Sequence, residues 1–257
     1  MSARLSFKQR LRRRDALLGF FISLPSPAIV EMIAYAGFDF VIIDSEHGPI
    51  GVETAEHMVR AAQGCGMAAL VRLPNALPIT QILDLGADGI VVPHVSTEAE
   101  AAAIIDASFF PPLGNRGVTT LSRAAHHGFT PSAEFLAGRN DATAVVVIIE
   151  DVKAIPHVPA IARLPGIDGL FVGPSDLSSS LGHPGQPGHP EVVAAIAAIR
   201  DAVLEVDGVG LGTTGRVASE VAGTLASGFS FLGFSTPLVI GNALRDLMRA
   251  VNPRHEP

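Results

Sequence analysis

The chain has 257 residues, is 48% hydrophobic and 17% charged, and carries a formal net charge of -7. That acidic balance excludes a general nucleic-acid binder, which needs a basic surface for phosphates, and a lone cysteine, Cys65, excludes an internal disulfide or a cysteine-based metal cluster. A one-domain α/β barrel takes about 250 residues, so a single domain over residues 1–257 is expected.

In chain order, residues 8–14 are basic and 16–24 apolar, which copies the start of a secretory signal. Asp15 breaks the junction, Pro25 and Pro27 follow, and no small-x-small cleavage site comes next. The segment therefore predicts a short basic helix leading into a first strand, and a cytoplasmic, reducing setting fits. No uninterrupted apolar run reaches the roughly 18 residues of a membrane span. Strands are predicted over 19–23, 40–44, 68–73, 89–93, 145–150, 169–173, 209–212 and 231–234, where short continuous apolar runs are rich in Val, Ile and Phe. Helix-like stretches at 28–36, 52–63, 78–85, 97–107, 190–206 and 217–227 alternate with them. Gly37, Gly64, Gly86, Gly208 and Gly228 follow helices, where a left-handed C-cap is common. This alternation predicts a (β/α)8 TIM barrel. The connection from His94 to Ala144 is too long for a simple turn, and with Pro111-Pro112, Arg116 and His126-His127 it reads as an ordered excursion beside the active site, carrying short helices of its own. The tail 252–257 reads as frayed.

Polar residues stand where apolar runs end: Asp44, Glu46 and His47 after the second strand, Arg72 after the third, Glu150 after the fifth and Asp176 after the sixth. Active sites of parallel barrels sit at the C-terminal ends of their strands. A carboxylate there either caps the next helix or points into the barrel mouth. Glu150 and Asp176 together suggest a shared site for Mg or Mn, since no cysteine or paired-histidine motif favours structural zinc. His47 is either a surface residue or part of a converging polar group ahead of Gly48-Pro49. Arg72 must reach solvent or meet an anion, either a bound ligand or an internal partner, Asp44 or Glu46.

Gly210-Leu211-Gly212-Thr213-Thr214-Gly215 matches G-x-G-x-x-G, but near the chain's end and with no acid between Val221 and Arg245. A close approach of strand seven to substrate or helix accounts for it better than a dinucleotide site. Ser122, Ser175 and Ser178 lack a nucleophile elbow.

The segments 37–47, Val71-Arg72, 111–117, Ile149-Glu150 and 169–178 resemble, in the correct order, the HpcH/HpaI aldolases. The resemblance covers almost the whole chain. It implies a class II pyruvate aldolase on a TIM barrel, usually hexameric, that cleaves or forms 4-hydroxy-2-oxo acids through a metal-stabilised enolate. Its partners would be a small 2-oxo acid and an aldehyde, with no nucleic acid or membrane. By resemblance Glu150 and Asp176 are the metal ligands, for Mg or Mn, with Co or Zn as alternatives. His47 is the catalytic base, paired with Asp84, and Arg72 stabilises the enolate oxygen. Gly173, Pro174, Ser175 and Asp176 form the substrate-binding turn, Ser175 through its backbone. Asp44 and Glu46 organise metal-bound water or the loop. Many relatives carry Gln two residues before the ligand Glu, where this chain has Ile148. A lyase acting on a β-hydroxyacyl-CoA and a non-catalytic metal-binding barrel stay open beside the aldolase. The acyl-CoA reading wants a basic rim, for which only Arg116, Arg123 and Arg139 offer themselves.

Overall fold

The computed structural model describes residues 5–73 and 78–252. The strands β1 (Leu17–Ile22), β2 (Phe40–Asp44), β3 (Ala68–Arg72), β4 (Gly89–Val92), β5 (Ala144–Ile149), β6 (Gly169–Val172), β7 (Gly210–Gly215) and β8 (Phe231–Ser235) pair in chain order, all parallel. β8 closes onto β1, completing the predicted (β/α)8 barrel. Around it lie α1 (Phe7–Arg12), α2 (Pro27–Tyr35), α3 (Val52–Gly64), α4 (Ile79–Asp84), α5 (Glu98–Ser108), α6 (Ser132–Ala142), α7 (Val158–Arg163), α8 (Pro174–Ser180), α9 (Pro190–Leu204), α10 (Ala218–Ala226) and α11 (Thr236–Val251). Among the described residues no helix is long and apolar enough to cross a membrane. Of the tail expected to fray, 253–257 lies outside the described residues.

The two-residue period of the strands sorts their side chains into two layers. Val41, Ile43, Val71 and Val147 face the helices, while Phe40, Ile42, Leu70, Ile148, Phe171 and Phe231 fill the barrel. The rings fit because inward positions on β7 and β8 carry glycine. A Cβ on Gly212 would lie 2.3 Å from Phe231 Cε2, and one on Gly233 2.6 Å from Phe21 Cε2. The G-x-G-x-x-G stretch is thus a packing device: it lies wholly within β7, with Gly210, Gly212 and Gly215 pressed against Leu11, Phe231 and Phe234. It opens no helix and approaches phenylalanine rings, where sequence reading expected a substrate or helix.

The basic N-terminal segment folds as the short helix α1, opened by a Ser6–Gln9 capping box. Leu11 enters the barrel interior from the N-terminal end. Arg14 donates to the carbonyls of Val203, Val206 and Val209 at 2.7–2.9 Å, and Lys8 to those of Asn140 and Thr143 at 2.9 Å.

Two expectations need correction. The helix of each βα unit returns the chain to the N-terminal ends of the strands, so α5 carries residues 109–143 there and not to the active-site side. Asn140 fixes this excursion: its Oδ1 accepts the Phe110 N–H and its Nδ2 donates to the Phe110 carbonyl, both at 2.9 Å. Gly64 is the last residue of α3, and Gly66, at φ +72°, makes the left-handed turn in its place.

The ring contact at Gly212 sets a test of the core. Gly212→Ala is expected to lower the unfolding free energy by about 1–3 kcal/mol through overpacking, seen as a lower urea midpoint at unchanged m-value.

Candidate active site

The alternation that turns Ile42, Leu70 and Ile148 inward also turns Asp44, Arg72 and Glu150 inward, one step on, at the C-terminal rim. Register sets Asp44 directly beside Arg72. Ser23, Thr214 and Ser235 have the same parity on their strands, and Asp176 enters from the first turn of α8. With His47, Gly173, Pro174 and Ser175 they line a cavity of about 380 Å³, whose apolar wall is Phe21, Ile148 and Phe171.

Arg72 is locked in place. Its Nε and one terminal nitrogen donate to the two Asp44 oxygens at 2.9 and 2.6 Å, and the other terminal nitrogen lies 3.3 Å from Glu46 Oε2. Its guanidinium also sits 5.1 Å from the Phe21 ring centroid. Arg72 is therefore internally paired, with both Asp44 and Glu46, and it also lines the cavity. Asp44 Oδ1 further accepts the backbone N–H groups of Glu46 and His47, each at 3.1 Å, and so shapes the loop that carries both. Burial works to raise the Asp44 carboxyl, but the hydrogen bonds and charge of Arg72, with those two N–H groups, hold it below the ordinary value.

His94 joins the two acidic sides of the rim and was not singled out from the sequence. Its backbone N–H donates to Glu150 Oε1 at 2.8 Å, its Nδ1 lies 3.0 Å from the same oxygen, and its Nε2 lies 3.2 Å from Glu46 Oε1. A left-handed backbone, φ +57°, lets one residue present both N–H and ring. The signal was available: His94 ends the apolar run Gly89-Ile90-Val91-Val92-Pro93, just as Glu150 ends its own.

The donor set fits a hard divalent cation. Asp44 and Glu46 are engaged by Arg72, whereas among the described residues no lysine or arginine pairs with Glu150 or Asp176. Burial pushes the Glu150 carboxyl up, and the charges of Asp176 and Glu46 push the same way against the His94 N–H and ring. Gly173 leaves room at this carboxylate, since a Cβ there would fall 2.8 Å from Glu150 Oε2. Oxygen ligands with uncompensated charge are what Mg or Mn requires. A second group, His183, His189 and Glu191, also keeps ligand atoms within 4.8 Å of one another. Its imidazoles stack 3.5 Å apart at 18°, so their in-plane lone pairs do not converge on one point. Here His189 Nδ1 accepts the Glu191 N–H at the start of α9, and His183 Nε2 meets Glu191 Oε2 at 2.9 Å.

Asp84 is not brought to His47 within the chain. It ends α4, and a helix antiparallel to the strands delivers its last residue to the N-terminal face, where Asp84 pairs with the buried Arg116 at 2.5 Å. The carboxylate beside His47 Nε2 is Glu46, at 3.8 Å. Arg116, Arg123 and Arg139, the basic rim an acyl-CoA ligand would need, are likewise on that face.

The Asp44–Arg72 pair has a pH signature. A folded-state pKa below the unfolded value of about 3.9 contributes stability that is present above that value and lost as pH falls through the folded one. Urea midpoints are expected to drop as pH is lowered below about 4, with a shallower drop in Asp44→Asn, which is already less stable at neutral pH.

Residues 17–241 match the HpcH/HpaI aldolase/citrate lyase family. The chain is 41% identical over 192 residues to a pyruvate aldolase of Rhizobium etli, covering 74% of this chain and 75% of that protein. It is 38% identical over 199 residues to a hydroxypyruvate/pyruvate aldolase of Cupriavidus necator, covering 76% and 73%. The crystal structure of an HpcH/HpaI aldolase/citrate lyase family protein from Burkholderia cenocepacia J2315 aligns with a TM-score of 0.89 at 33% identity, covering 95% of this chain and 98% of that one. With its closed barrel and its carboxylate-rich mouth, the chain belongs to the HpcH/HpaI aldolase/citrate lyase family.

Proposed function

We propose that this chain is a divalent-metal-dependent aldolase that cleaves a 4-hydroxy-2-oxo acid to pyruvate or hydroxypyruvate plus an aldehyde, and runs the reverse addition. The observation that carries this reading is the pair Glu150 and Asp176, two carboxylates that among the described residues have no lysine or arginine partner, on the cavity that Arg72 also lines. The activities of the Rhizobium etli and Cupriavidus necator relatives support it.

Glu150 and Asp176 would hold the ion, Mg or Mn in first place, which supplies positive charge at the substrate's carboxylate and 2-oxo oxygens. The backbone N–H groups of Ser175 and Asp176 begin α8 and have no intrahelical acceptor, so they receive the substrate carboxylate. Gly173 and Pro174 shape that turn. As the C3–C4 bond breaks, its electron pair moves toward the 2-oxo oxygen, and Arg72, held rigid by Asp44, faces the growing negative charge without reorganising. His47, whose side chain is 64% exposed, takes the 4-hydroxyl proton through a water, with Glu46 beside its Nε2. Ile148 offers the substrate an apolar contact in place of a hydrogen bond, which favours a compact 2-oxo acid such as pyruvate or hydroxypyruvate. A homo-oligomer, hexameric by family likeness, accords with the exposed apolar face of α11 at Leu244, Leu247 and Val251.

The test is release of pyruvate and hydroxypyruvate from a panel of 4-hydroxy-2-oxo acids, with EDTA and with restored Mg or Mn. Cleavage is expected only with metal and is lost in Glu150→Ala. Arg72→Gln is expected to lower kcat by about 10²–10³-fold, as removal of a preorganised donor does. Absence of cleavage with every metal, while Glu150-dependent metal binding persists, would sink the proposal.

A further inference from the structure

A second cavity, of about 440 Å³, opens at the other end of the barrel, where Arg60 on α3, Arg123 and His126-His127 on the 3-10 turn Arg123–Gly128, and Arg139 on α6 converge around Gln63 and Gly86. Among the described residues no carboxylate lines it. The nearby acids are engaged outside: Glu56 accepts two bonds from Arg60 at 2.5 and 3.1 Å, Asp88 accepts the Ala69 N–H at 2.9 Å with Gln63 at 3.4 Å, and Asp84 holds Arg116 at 2.5 Å.

The Arg123 and Arg139 guanidiniums are fixed by hydrogen bonds to backbone carbonyls and to Gln63. Arg123 donates to the Leu85 carbonyl at 2.7 Å and to Gln63 Oε1 at 2.9 Å, and Arg139 to the Ala87 and Leu83 carbonyls at 2.6 and 3.3 Å. Arg139 Nε is buried and has no partner among the described residues. Burial and then the charge of Arg116 bring the Arg139 guanidinium down to about 10, while burial and then Arg60 lower Arg123. Asp88 and Asp84 act the other way at Arg139, and Glu56 and Asp88 at Arg123, so carboxylates behind the cavity offset part of its positive charge. His126 and His127 sit at the cavity in successive left-handed conformations, φ +51° and +56°, which L-residues seldom adopt.

We propose that this cavity binds a phosphoryl group, either free phosphate or one carried on a small organic acid. Donors arriving from three separate elements suit the tetrahedral oxygens and double charge of phosphate, whereas a planar carboxylate is satisfied by a single guanidinium fork. The volume lies in the range of small-ligand pockets, about 300–1,000 Å³. Gly86 and Asp88 precede β4 and His94 follows it, so a strand of about 13 Å separates this cavity from the catalytic mouth.

Isothermal titration of the full chain with inorganic phosphate, chloride being varied to hold ionic strength constant, decides the matter. Saturable binding is expected, weakened at least about tenfold in both Arg60→Gln and Arg123→Gln and retained in Arg72→Gln at the opposite mouth. Arg60 is the cleaner probe, since its partner Glu56 is on the same helix surface; aldolase activity confirms the fold of the two cavity variants, and the urea midpoint that of Arg72→Gln. 3-Phosphoglycerate binding more tightly than phosphate would assign the cavity to a phosphorylated acid, and equal affinity would assign it to phosphate itself. No saturable binding, binding unchanged in both cavity variants, or binding lost only in Arg72→Gln would overturn the proposal.

Discussion

Everything in this molecule depends on the closure of eight parallel strands, which obliges every second side chain to point into one shared interior. Phenylalanine and aliphatic side chains fill that interior only because glycines on facing strands yield their Cβ space. Once the last apolar layer is placed, the next inward residue on each strand has nowhere to go but the rim cavity. Asp44, Arg72 and Glu150 are those residues. Their convergence is a consequence of strand parity and register, not of any local motif.

Charge arrangement then divides the rim into two parts. On one side Asp44 spends both oxygens on Arg72 and one of them also on the Glu46–His47 loop, which makes a rigid cationic wall from a residue that would otherwise search for solvent. On the other side Glu150 and Asp176 have no lysine or arginine partner among the described residues, and a buried carboxylate that is not neutralised is costly unless a cation or a proton joins it. His94 stands between the halves and contacts both Glu46 and Glu150. In the proposed reaction one wall of the mouth would take the ion and the other would face the developing negative charge.

The N-terminal end of the same barrel is tied together by basic side chains that meet backbone carbonyls and carboxylates. Arg14 and Lys8 close it against backbone carbonyls, and Arg116, Arg123 and Arg139 gather around the end of α4. Among the described residues, Arg72 is the one guanidinium that lines the C-terminal mouth.

Much of this was legible in the sequence. Continuous Val- and Ile-rich runs at regular spacing specify parallel strands, because only strands covered on both faces tolerate them, and polar residues ending those runs specify the rim. That reasoning reaches Asp44, Arg72 and Glu150, and applied evenly it would have reached His94. What the one-dimensional pattern does not carry is direction through space. Asp84 and the 109–143 excursion seemed to belong with the active site, yet each follows a helix that has run back to the opposite end. The partner of Arg72, the replacement of Asp84 by Glu46 beside His47, and the role of the β7 glycines likewise waited for the tertiary structure. Residue order alone determined which side chains face inward, since that follows from a local period of two. Which of them meet was decided by barrel closure and by the direction of each helix, since those contacts join residues distant along the chain.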